Sequence, residues 1–385
     1  MIETRYQLPR HRLREVSIDG STREARTDWV VTFADSSVPE PSTGERRIEV
    51  SLSGDEVGFV RRFVFVPEDW NRSERRRAAT SSVLQGLSVL LTTALLLAGA
   101  LGAVVSWSRQ QFGLRLGIGV FLLLFGVRTI TLVNGWTSVQ VGFSTAQSFQ
   151  LQALMAATSI LLSAGVMSVL LGLTAGGVAI WSPSFARLPL QHGVWLAIAM
   201  GTAGSGAIAL ASHSGTALPD WPQVRFAAAA LPWGGGAALG PVVGSVMQSV
   251  LLMLLVVGME RLSVGWTRRR AVTAIALVLV GIALNGVSAN QPLTTSLLAG
   301  GVTGVAILTA YVGVLRYNAT MAPIIVGVIV AFQQIRHGAA AAYPGSVTGH
   351  LLAVVVVAAL AASWTRLLRV NNLEDRSAGS LTPST

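Results

Sequence analysis

Two patterns of apolar spacing divide the chain. Near its start, short runs gather β-branched and aromatic residues: Trp29 to Phe33 (WVVTF), Ile48 to Leu52 (IEVSL) and Phe59 to Val66 (FVRRFVFV). In the second run Ile48, Val50 and Leu52 alternate with Glu49 and Ser51, the period of two that lays one side of a strand on a core. Ser53-Gly54-Asp55 is a tight-turn signal, so the second and third runs are predicted to form a hairpin within a three-stranded sheet. The polar stretch Ser36 to Gly44 connects the first run to the second. Pro67-Glu68-Asp69-Trp70 ends the sheet and leads into a helix through Arg72, Arg75, Arg76 and Arg77. A sheet face needs a cover, yet only Leu8 to Val16 precedes the first strand. The head therefore reads as incomplete at its start, as in a chain that continues upstream of Met1.

From residue 79 the period of two gives way to nine long apolar segments, near 79–107, 114–134, 151–180, 191–212, 237–260, 271–289, 294–315, 319–340 and 347–367. Apolar runs of about 18 residues or more read as membrane-spanning helices. Eight of the ten tryptophans fall at segment ends or in connections, where interfacial anchors belong. The fourth segment is the most dilute, with Gly201, Gly204, Ser205, Gly206 and Ser212. If all nine cross, the positive-inside rule places the head outside; if the fourth does not, it places the head inside. Both arrangements leave the C-terminus in the cytoplasm. The predicted fold is an all-α polytopic membrane bundle of eight or nine transmembrane helices with a small N-terminal β-rich (α+β) soluble domain. The divisions are 1–78 for the head, 79–367 for the membrane body and 368–385 for a disordered polar tail.

Composition agrees with a lipid bilayer as the main partner: 51% of residues are hydrophobic and the mean hydropathy is +0.58. All 28 basic residues are arginine. Residues 1–78 hold 14 of them against 14 acids, so the net charge of +10 belongs to the remainder. There the arginines stand singly between apolar segments and form no stripe with interleaved aromatics, which argues against nucleic acid as a partner. The absence of cysteine excludes disulfides, thiolate nucleophiles and cysteine-held metal.

Between Ala79 and Leu367 the chain carries two carboxylates, Asp220 and Glu260. Proton relays, paired-carboxylate hydrolysis and carboxylate-held metals each need more acid groups than that, so no catalytic residue, cofactor or metal site is predicted. Arg128, inside the second segment, needs a partner or a route to the interface, and Glu260 at the end of the fifth is its candidate in a functional ion pair. His192, His213, His337 and His350 lack the spacing of converging metal ligands and read as interfacial residues. Ala203-Gly204-Ser205-Gly206 resembles the nucleophile turn of rhomboid intramembrane serine proteases, with Ser205 as nucleophile and His350 or His213 as base. Its plainer reading is close helix packing. Gly172 with Gly176, Gly300 with Gly304, and Gly236, Gly240 and Gly244 share the same small-residue spacing. Leu231-Pro232-Trp233-Gly234-Gly235-Gly236 makes an irregular approach to the fifth segment, suited to an interfacial loop or a re-entrant gate.

The head, with WVVTF, RRIEVSLSGDEV, RRFVFVPEDW and a charged helix, resembles the PepSY-like domains that precede membrane regions in some bacterial proteins. The layout as a whole is similar to bacterial CAAX-protease-like intramembrane proteins, which implies a bacterial inner membrane. That family's Glu-Glu-x-x-x-Arg, Phe-x-x-x-His and His-x-x-x-Asn/Asp motifs have no counterpart: Met259-Glu260-Arg261 has one glutamate, and Phe332 to His337 is one residue too long. The resemblance thus implies a non-catalytic component or fragment of a larger protein, with a head that binds a peptide or protein partner. The alternative class is a permease for a neutral or anionic small solute, using the fourth segment, the approach to the fifth and Arg128. An intramembrane hydrolase ranks third, because its required groups are missing.

Overall fold

The computed structural model describes residues 13–24, 26–35, 44–181, 189–213, 236–264, 266–285, 293–340 and 345–379. Two compact units divide the chain, Met1–Thr80 and Ser81–Thr385.

The first unit holds a four-stranded antiparallel meander in the order β1 (Leu13–Thr22), β2 (Thr27–Asp35), β3 (Glu45–Ser53), β4 (Glu56–Phe65). The alternation read in the second run is kept: Ile48 and Val50 are fully buried, with Phe33, Leu52, Val57 and Val60 packed around them. The β3–β4 hairpin turns at Gly54, whose φ of 67° lies in the left-handed region that glycine enters without steric cost. The expected three strands are corrected to four. Leu13 to Val16 belongs to a paired strand rather than to a lone segment before the sheet. A β-bulge between Glu15 and Ser17 inserts Val16 into β1 and breaks its alternation, so the period of two is interrupted in the sequence.

Among the described residues the body is all-helical. Its elements are α1 (Glu68–Ser108), α2 (Leu114–Asn134), the short α3 (Trp136–Gln140), α4 (Phe149–Trp181), α5 (Leu190–His213), α6 (Gly236–Ser263), α7 (Arg270–Asn285), α8 (Leu293–Ala310), α9 (Ala322–Ala340) and α10 (Ser346–Gly379). A π-turn, Tyr311–Leu315, closes α8, and a 3₁₀ turn, Ala319–Met321, opens α9. Among the described residues eight helices are long and apolar enough to cross a membrane, and the protein is a polytopic membrane bundle. The fourth segment, expected to be the weakest, is α5, whose stretch Gln191–Ala211 meets that standard. The sixth, α7, has 16 residues among those described. Where a polar tail was expected from residue 368, α10 continues to Gly379.

Three antiparallel pairs, α2 with α4, α7 with α8 and α9 with α10, are the most extensive contacts, and α5 packs on α8 and α9. α6 touches α2, α4, α9 and α10, and 67% of its membrane window is buried against 22% for α2, so it is the axis of the bundle. Other spans also turn apolar side chains outward, as lipid-facing helices do: Leu90, Leu101, Leu122, Leu162 and Val355 are exposed. Glycines bring backbones together where the spacing suggested it. A Cβ at Gly304 would lie 2.5 Å from the Cα of Val278, and one at Gly172 would lie 2.8 Å from the carbonyl of Gly117. Gly240 and Gly244 differ, for among the described residues nothing lies within reach of a Cβ at either position.

Candidate functional site

The carboxylate of Glu260 ends the apolar run of α6, and a charged group there requires donors. Its donor comes from α8. The π-turn adds a residue to the last turn, with the Arg316 N–H donating to the Tyr311 carbonyl at 3.0 Å, five residues back. Tyr311 is fully buried, and its hydroxyl donates to Glu260 Oε2 at 2.5 Å, the length of a charge-assisted bond. Ser263, one turn beyond Glu260, is also fully buried. Its Oγ donates to the Met259 carbonyl at 2.7 Å, accepts the Trp266 N–H at 3.0 Å, and lies 3.4 Å from the tyrosine oxygen.

The loop after α6 holds this arrangement in place. Val264, Trp266 and Arg269 have φ of 50°, 62° and 57°, a region that costs a non-glycine residue about 1–3 kcal/mol. The strained path sets the Trp266 ring edge-on to Tyr311, with centroids 5.4 Å apart. Arginines surround the site in sequence: Arg261, Arg268, Arg269 and Arg270 from the α6 side, and Arg316 after the π-turn. The Arg270 Nε donates to the Trp266 carbonyl at 2.6 Å. The Arg316 guanidinium stacks over Tyr317 at 4.3 Å, while its buried Nε has no hydrogen-bond partner among the described residues. Chemically this is a half-buried carboxylate held by a buried phenol in an electropositive setting, able to meet a polar solute group.

Arg128 is half-buried in α2, and among the described residues it makes no ion pair with Glu260 or any other carboxylate. Glu260 meets Tyr311 instead. Ser205 is buried, and its Oγ donates to the Gly201 carbonyl one turn back at 2.5 Å, while Gly204 beside it faces Ala306 of α8. His350 Nδ1 lies 2.9 Å from Gln334 Oε1, and its ring is 6.2 Å from that of His337. The side chain of His213, the approach at 231–235 and Asp220 lie outside the described residues. Sequence reasoning missed Tyr311, Ser263 and Trp266. The available signal was a tyrosine within an apolar run, since a buried phenol needs a polar partner.

In the head, among the described residues, β4 pairs with β3 alone. Gly58 is the extra residue of an irregularity near the hairpin turn, after which Phe59 to Phe65 runs without a break. Phe59, Val64 and Phe65 are exposed along it, as is Trp70 just beyond. Such an edge carries both backbone groups and apolar side chains for an added strand. Comparison with protein-family models, with curated proteins and with solved structures returned no match.

Proposed function

We propose that this protein is a non-catalytic component of a larger membrane system, one that captures an extended peptide or protein segment by strand addition at β4. The observation that carries this reading is the unbroken outer strand Phe59–Phe65, which exposes Phe59, Val64 and Phe65 on either side of Arg61 and Arg62. The likeness of the head to PepSY-like domains, and of the layout to CAAX-protease-like proteins, supports placing it in a bacterial inner membrane. The arginine distribution supports a cytoplasmic C-terminus. The test is selection of displayed peptides on the full-length protein in detergent. Peptides with alternating apolar residues should be enriched and should lose binding when Val64→Lys places a charge on the edge. Absence of enrichment, or binding indifferent to that substitution, rejects the reading.

The Tyr311–Glu260 pair at the π-turn favours a second reading, a permease for a neutral or anionic small solute. In proteoliposomes, Glu260→Gln or Tyr311→Phe should lower uptake of such a solute by about tenfold or more, the cost of removing a part-buried charge-assisted bond. Arg128→Gln tests the residue singled out by sequence. Uptake that survives all three rejects this reading.

A further inference from the structure

Between the end of α1, the start of α2 and the middle of α4 lies an apolar groove of about 210 Å³. Gly117 and Gly172 form its floor, where the two helices approach so closely that a Cβ on either would meet the other's backbone within about 3 Å. Its walls open outward: Trp107, Leu114, Ile118 and Val169 are about half exposed. At one end Trp107 stacks on Phe112 at 4.9 Å. Phe112 in turn presses on Gly176, a position at which any Cβ would strike its ring, and the Gly113 N–H donates to the Gly176 carbonyl at 3.0 Å. The α1–α2 connection is therefore pinned to α4 and keeps the mouth of the groove in shape.

Charge gathers at that same end. Arg109 lies two residues past Trp107, Arg115 follows the lining residue Leu114, both are exposed, and no acid occurs between Trp107 and Ile118. A dry slot, an aromatic pair at the interfacial level and two cations beside it match the parts of one molecule in order: acyl chain, glycerol backbone, phosphate. We infer that this groove is a binding site for an anionic phospholipid, its chain lying over Gly117 and Gly172 and its phosphate meeting Arg109 and Arg115. A neutral lipid lacks the net charge that a pair of interfacial arginines attracts, and each such residue favours an anionic headgroup by several-fold.

The test uses the full chain, stripped of lipid in detergent and titrated with phosphatidylglycerol or with phosphatidylcholine of the same acyl chains, with bound lipids counted by native mass spectrometry. The wild type should bind phosphatidylglycerol about tenfold more tightly than phosphatidylcholine. Arg109→Gln with Arg115→Gln should erase that preference. Val169→Trp, or Ile118→Trp if the first lowers the melting temperature, should fill the slot and abolish tight binding of either lipid. Equal binding of the two lipids to the wild type overturns the inference, as does a preference that survives loss of both arginines. Cross-linking of two chains through a cysteine at Val169, with no lipid retained, would assign the groove to a second copy and overturn it as well.

Discussion

At Glu45, the first residue of β3, two arginines share one carboxylate. Arg47 donates from Nε at 2.8 Å, and the guanidinium of Arg14 reaches the other oxygen from β1. The Arg47 hydrogen bond does most to hold the Glu45 carboxyl below the usual range; burial opposes it, and the charges of Arg47 and Arg14 add to the lowering. The folded state therefore holds this group ionised where the unfolded chain has begun to bind a proton. Stability from it is present above the unfolded value of about 4.3 and is lost as pH falls through the folded value. Glu45→Gln should cost the sheet about 1 kcal/mol at pH 7 and little near pH 3, because these pairs are partly exposed. Amide exchange at Ile48 and Val50, with variant and parent compared at each pH in the full chain, reads the difference. Arg128 and Glu260 show the limit of sequence reading at this scale. Scarcity of charge singled out both residues, but Glu260 takes its partner from Tyr311, 51 positions away, and spacing alone gave no means of choosing it.

Element by element, regular patterns were legible and single-residue insertions were not. The hairpin at Gly54 and the helix beginning at Glu68 lie where Ser53-Gly54-Asp55 and Pro67-Glu68-Asp69-Trp70 put them. The added residue in β1 hid a strand, and the added residue in the last turn of α8 hid the direction of Tyr311. Glycine spacing was informative where two helices are antiparallel neighbours and empty where one is not. Gly281, Gly300 and Gly304 let α7 and α8 touch backbone to backbone, whereas Gly240 and Gly244 of α6 meet nothing among the described residues. Gly304→Val should thus force α7 from α8 and destabilise the bundle by about 1–3 kcal/mol, the usual cost of overpacking, while Gly244→Val should be close to neutral. Thermal unfolding of the two variants in one detergent, followed by circular dichroism, checks the contrast.

For the whole molecule, the composition that revealed a membrane bundle also concealed its arrangement, since segments this uniformly apolar do not say which face meets lipid. The number of crossings now turns on α7 rather than on the fourth segment. Its 16 described residues rise about 24 Å, against a hydrocarbon layer of about 30 Å. It nonetheless lies antiparallel along α8, with Val278 and Ile282 against Gly304 and Gly300. It should therefore cross. With no native cysteine to interfere, Thr267→Cys and Ser288→Cys should react with an impermeant reagent from opposite sides of the membrane; labelling from one side would make α7 re-entrant.

The central place of α6 sets an order of events during synthesis. Val246, Val250 and Met253 become buried by closing against both earlier and later helices. As the chain enters the membrane from its N-terminal end, α2 and α4 can pair at once, yet the faces they turn toward α6 stay open until residue 236 and beyond have been made. The early half must wait in lipid, half-assembled, for its keystone.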